Sequence, residues 1–177
     1  MKRTSVAVAT LAAVAVACLS WQGIASAQAQ PQQPGSSNSL QRDQFEARQR
    51  AEIVGVLKSY ERSLNASDLA GVVQLYTDDA VLLAPGARSA VGIDAVREAY
   101  TGIFQAIDID LTFQVAEVSV VSPDWAFLRS TSNGVVTILA TGAQTPSSNQ
   151  ELFVLHKSQG RWKLARYSFS SVLPSAQ

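Results

Sequence analysis

The sequence holds one cysteine, Cys18, and one histidine, His156. A thiolate–imidazole pair or a Cys/His zinc cage needs more of both than this, so neither is expected. No disulfide can close within the chain, and the fold must rest on its hydrophobic core. Glycine-rich phosphate loops and the Gly-x-Ser-x-Gly elbow are also missing, so the common nucleotide and hydrolase signatures are absent. No metal and no cofactor is expected. Charge of one sign is lacking too, with 14 basic against 14 acidic side chains. Nucleic acid requires a basic patch, so no nucleic-acid partner is expected. His156 alternates with Leu152 and Val154 along a strand and reads as a packed or surface side chain rather than a base. The pair Asp78–Asp79 reads as a capped helix-to-strand turn rather than a metal site.

What is present begins with Lys2-Arg3, an apolar run from Val6 to Leu19, and Ala25-Ser26-Ala27. A basic start, a run too short to span a bilayer and a small-x-small site predict a signal peptide over 1–27. The expected location is secreted or periplasmic, with no stable membrane insertion after processing. Cleavage after Ala27 would remove two of the 14 basic side chains and no acid, leaving a net charge of −2. It would also remove Cys18. A lipoprotein anchored through Cys18 is the weaker alternative, because Ala15 stands where such sites usually carry Leu. Residues 28–40 are mostly Gln, Pro, Ser and Gly, with Leu40 the one large apolar residue, and predict a flexible linker. A single domain over 41–172 and a tail over 173–177 complete the organisation.

Within the domain, Ile53, Leu57, Tyr60 and Leu64 recur at helical spacing. Ser67 is the expected cap of a short helix from Asp68 to about Tyr76, broken by Thr77-Asp78-Asp79. Ala80–Ala84 predicts a strand stopped by Pro85-Gly86, and Ile93–Ala106 a third helix. From Ile109 the pattern turns to strands. A tight turn at Ser122-Pro123-Asp124, a polar loop over 142–148 and a turn at Ser158-Gln159-Gly160 divide them. Helices first and a strand meander afterwards predict an α+β fold with helices on one face of a curved antiparallel sheet.

Tyr60 and Tyr100 lie on the buried stripes of two helices, and Tyr76 is placed at the end of another. Buried phenols need hydrogen-bond partners, so the three either meet in one cavity or stand as separate core residues. Glu151 shares a strand face with Phe153 and Leu155, where a carboxylate is unusual. Leu152 and Val154 leave the opposite face apolar as well, which predicts a homodimer through the outer face of the sheet. Trp125 and Trp162 read as core or interface anchors.

The stretches "YERSLNASDLAGVVQLYTDDAVLLAPGARSAVGIDAVREAY" and "ELFVLHKSQGRWKLARYSFS" resemble the nuclear-transport-factor-2-like superfamily, and within it the SnoaL-like branch. The resemblance covers about Glu52 to Ser170 and implies a cone-shaped fold. Its members include isomerases, dehydratases, polyketide cyclases and non-catalytic binding or dimerising modules. Set against ketosteroid isomerase, the resemblance places the oxyanion tyrosine on Tyr60, with supporting tyrosines on Tyr76 and Tyr100. It places the protonated acid on Glu151 and the general base on Ala84, so the proton-abstracting side chain is missing. The same alignment puts Ala165, Tyr167 and Phe169 on the pocket wall, in agreement with strand alternation. The expectation is an apolar pocket for a small hydrophobic molecule lined by Tyr60, Tyr76, Ala84, Tyr100, Glu151, Ala165, Tyr167 and Phe169. An isomerase, dehydratase or cyclase and a non-catalytic accessory module are the alternatives.

Overall fold

The structure, a computed structural model, describes residues 35–172. The expected signal peptide, Cys18, the first part of the linker and the tail lie outside the described residues. Three helices and six strands follow in the order α1 (Gly35–Asn65), α2 (Leu69–Val73), β1 (Tyr76–Leu83), β2 (Ala90–Val91), α3 (Ile93–Ala106), β3 (Ile107–Val120), β4 (Trp125–Ile138), β5 (Ala143–Ser158) and β6 (Arg161–Ser171). They form one sheet in the order β2-β1-β6-β5-β4-β3. The long strands β3 to β6 make an antiparallel meander. β1 joins β6 in parallel, so the sheet is mixed rather than wholly antiparallel.

The helix α1 buries the expected stripe of Ile53, Leu57, Tyr60 and Leu64. It starts at Gly35 rather than Gln41, which takes residues 35–40 out of the predicted linker. Gln, Arg and Glu beyond that point are good helix formers, and an established helix lengthens cheaply. At its other end, Ser67 adopts a left-handed φ of 50° and connects two helices instead of capping. Asp68 is the cap of α2, its Oδ1 accepting the Gly71 N–H at 2.9 Å. Gly71 leaves room for that cap, because a Cβ there would crowd the Asp68 carboxylate and the Ser63 hydroxyl.

The expected turn at Thr77-Asp78-Asp79 is part of β1, and α2 stops at Val73. Pairing with β6 jumps from Tyr76↔Leu164 to Val81↔Arg166, so the residues between bulge outward. Asp78 and Asp79 are exposed on that bulge, and Arg166 donates to the Asp79 carbonyl at 3.0 Å. The predicted loop over 142–148 is likewise strand, paired residue by residue from Ala143↔Ile138 to Ser148↔Asn133. Its polar composition hid the period-two pattern, because both faces there carry Ser, Thr, Asn or Gln.

β3 would be an open edge, and α1 closes it. Asn65 donates to the Leu111 carbonyl at 2.8 Å and accepts the Leu111 N–H at 3.1 Å. Glu61 accepts the Phe113 N–H at 2.9 Å, and Arg50 donates to the Val118 carbonyl. These side chains occupy the groups with which another strand would pair. The concave face carries Ile109, Leu111, Leu128, Phe153, Leu155, Leu164 and Tyr167 against the helices. Trp162 is buried and donates to Gln49 Oε1 at 3.0 Å. On the opposite face Trp125 stacks on His156 at 4.4 Å, beside Phe127, Leu152 and Val154. Among the described residues no helix is long and apolar enough to cross a membrane.

Candidate functional site

All four tyrosines of the chain come together inside the concave face, each 4% exposed or less. Tyr60 arrives from α1, Tyr76 from the start of β1, Tyr100 from α3 and Tyr167 from β6. The Tyr100 hydroxyl stands in the middle, 2.8 Å from the Tyr60 hydroxyl and 2.8 Å from that of Tyr76. Tyr60 meets Tyr167 edge to face at 5.5 Å, and Tyr167 stacks on Phe153 at 4.2 Å with rings 3° from parallel. Burial is the largest cause that holds all four phenols well above their ordinary pKa, with neighbouring phenols contributing. They stay protonated, and each hydroxyl can donate as well as accept.

Beyond this cluster the concave face opens into a cavity of about 690 Å³. Tyr60, Tyr100 and Tyr167 form one wall, and Leu64, Leu82, Ile103, Ile109, Leu111 and Phe113 supply hydrocarbon. Small residues of α3, Ala99, Gly102 and Ala106, leave the space that larger side chains would fill. The wall toward the end of the sheet is polar, with Ser132, Ser147, Asn149 and Ser171. Asn149 donates to Ser132 Oγ and Ser147 Oγ, both at 3.2 Å. Arg88, on the loop between β1 and β2, stands at the lining as its one charged residue.

The expected site residues separate into two groups. Tyr60, Ala84, Tyr100, Tyr167 and Phe169 line the cavity. Tyr76, Glu151 and Ala165 do not. Tyr76 lies behind Tyr100 and meets it through its hydroxyl and its ring. Ala165 is buried where β6 gains a residue against β5, between Leu155↔Leu164 and Val154↔Arg166. That bulge breaks the strict alternation that agreed with its placement by the resemblance. Glu151 is 5% exposed and stands behind Ser132. Its Oε2 accepts from Ser130 at 2.6 Å and its Oε1 from Ser132 at 2.5 Å. Desolvation raises its pKa and the two serine hydroxyls oppose that rise. Its contact with the cavity is therefore relayed by Ser132, not direct as expected beside Tyr60.

Sequence reasoning missed the polar wall and Arg88. Serine and asparagine carry no chemistry of their own to draw attention, and only the register brings Ser132 opposite Asn149. Among the described residues no group of three or more His, Cys, Asp or Glu gathers where a metal could sit.

The central place of the Tyr100 hydroxyl has a measurable consequence. Tyr100→Phe removes a partner from two buried phenols, and should cost about 2 kcal/mol of stability in urea unfolding. Tyr76→Phe leaves the Tyr60–Tyr100 bond in place and should cost about 1 kcal/mol. Equal losses, or the reverse order, would show that the chain of hydroxyls does not run through Tyr100.

Comparison with known proteins follows from this geometry. The SnoaL-like domain matches residues 56–165. Among solved structures, a ketosteroid isomerase-like protein from Erwinia carotovora atroseptica is 41% identical, with a TM-score of 0.68, covering 71% of this chain and 97% of its own. A conserved protein from Planctomyces limnophilus is 23% identical, with a TM-score of 0.64 over 71% of this chain and 99% of its own. A candidate scytalone dehydratase from Novosphingobium aromaticivorans is 18% identical, with a TM-score of 0.63 over 74% of this chain and 87% of its own. The last two share the fold. Among curated proteins none matches. The helices packed on a curved mixed sheet are the nuclear-transport-factor-2-like cone, and the chain belongs to the SnoaL-like domain family.

Proposed function

We propose that this domain binds a small, largely apolar organic molecule in the cavity beneath Tyr60 and Tyr100. The supporting observation is the composition of the wall. A space of about 690 Å³ is lined by hydrocarbon, three phenols and a serine–asparagine end, with no Asp, Glu, His, Lys or Cys among the lining residues. Pockets of this size with a few convergent polar groups suit drug-sized ligands. The same composition favours binding over turnover. General acid–base catalysis needs a group that titrates near the working pH, and these phenols are held far above it. Ala84, at the place that the resemblance gives to a catalytic base, lines the cavity with a methyl group.

One observation favours an enzyme of the isomerase, dehydratase or cyclase type. Glu151 is a buried carboxylate of raised pKa that touches the cavity-lining Ser132. Turnover of a β,γ-unsaturated ketone, lost in Glu151→Gln, would replace the binding reading with that one. A purely structural module fits less well, since Phe104 and Trp125 are not among the lining residues and Phe169 bounds the cavity without filling it.

Two further features belong to the proposal. The domain pairs with a second copy through the outer face, where Leu152 is 43% and Trp125 38% exposed beside Phe127 and Val154. The chain is exported by its first 27 residues, on the pattern of Lys2-Arg3, Val6–Leu19 and Ala25-Ser26-Ala27.

Each feature has its measurement. Native mass spectrometry with a panel of hydrophobic metabolites should show a retained ligand. Gly102→Leu should weaken retention about tenfold, about 1.4 kcal/mol. Open space surrounds the Cβ position of Gly102, and leucine is also the better helix former, so folding should not suffer. Equal retention by that variant, or none by the wild type, would end the pocket reading. Sedimentation at micromolar concentration should give a dimer that Leu152→Lys converts to monomer; a monomeric wild type would remove the pairing. N-terminal sequencing of the native protein should begin at or near Gln28, and an intact Met1 would contradict export.

A further inference from the structure

The cavity carries one charge at its lining, and that charge has no partner among the described residues. Arg88 is exposed and makes no hydrogen bond or ion pair within the described residues. It sits on the short connection between β1 and β2, which pair Val81↔Val91 and Leu82↔Ala90. Within that connection Ala87 donates to the Ala84 carbonyl at 3.3 Å, and Gly86 takes a φ of 72° that glycine adopts freely. The loop is therefore a closed turn held at both ends by paired strand, and it carries Arg88 beside Pro85 and Ala87 at the cavity. No carboxylate lines the cavity to neutralise it.

We infer that the cavity selects an organic carboxylate, its hydrocarbon body in the apolar space and its anionic end on the Arg88 guanidinium. The planar guanidinium fork matches a carboxylate in shape, and its apolar stem can lie along the hydrocarbon wall. A monoanion is the matching charge, because no second Lys or Arg lines the space to meet a dianion. A cationic amphiphile would meet like charge at Arg88. This selectivity rests on the cavity being a binding site, as proposed above, and names the class of molecule that enters it.

The matched pair decanoate and decanamide isolates the charge, since the two differ little in size. Calorimetric titration of the wild type at pH 7 and low salt should favour decanoate by about fivefold, the range of a partly exposed ion pair. Arg88→Ala should bring the ratio to about one, and Arg88→Glu should reverse it. Arg88→Lys keeps the charge without the fork and should retain a smaller preference. Added salt should shrink the wild-type ratio. Equal affinities for the two ligands in the wild type, or an unchanged ratio in Arg88→Ala, would overturn the carboxylate inference and leave the apolar pocket standing. Failure of both ligands to bind, together with no retained molecule from the hydrophobic panel, would overturn the pocket and the inference with it.

Discussion

Four buried phenols impose the constraint around which the rest of this domain is arranged. Each hydroxyl lies out of reach of bulk water, and an unpaired one would cost about 1–3 kcal/mol. Tyr100 resolves this for three elements at once, since its hydroxyl meets Tyr60 from α1 and Tyr76 from β1. The bonds tie α1 and β1 to α3 through rings that are rigid to their tips. Stacking of Tyr167 on Phe153 then carries the same constraint into β6 and β5. A hydroxyl chain in a low-dielectric interior is stiff only when every member is satisfied. Among the described residues no buried side-chain nitrogen or oxygen is left without a partner.

Much of this was legible in the sequence where local pattern decides structure. The four-three-four spacing of Ile53, Leu57, Tyr60 and Leu64 gave the buried face of α1, and the helix expected from about Ile93 to Ala106 is α3. The tight turns at Pro123 and Gly160 correctly separated the long strands. What failed was governed by distant partners. Tyr76 looked like a helix end because Thr77-Asp78-Asp79 has turn composition. The parallel pairing with Leu164 and Arg166, about 85 to 88 residues away, makes it strand instead. No local signal announces such a pairing.

The candidate site follows the same division. Helical spacing put Tyr60 and Tyr100 on buried stripes, and the resemblance put Tyr167 and Phe169 on the pocket wall, in agreement with strand alternation. Ala165 was misplaced by one bulge, since a single extra residue inverts the faces of a strand. Glu151 was assigned to the concave side with Phe153 and Leu155, where it stands. Its two serine partners could not be assigned without knowing that Ser130 lies opposite it and Ser132 two residues further along β4.

That serine pair also bears on what kind of site this is. A carboxylate directly exposed to a hydrocarbon cavity would face an unpartnered desolvation cost of several kcal/mol and would be driven to its neutral form. Ser130 and Ser132 take up both oxygens of Glu151, so that cost falls on the protein's own hydrogen bonds and not on a ligand. Ser132, which lines the cavity, has its proton on Glu151 and also accepts from Asn149, so it brings a neutral hydroxyl to the wall. Asn149 directs its amide N–H groups at Ser132 and Ser147. The polar end is thus a surface of dipoles, with the acid behind it screened from whatever enters. Since Arg88 on the β1–β2 loop is the one charged residue of the lining, the proposed preference for an anionic end rests on that loop and not on the serine–asparagine wall.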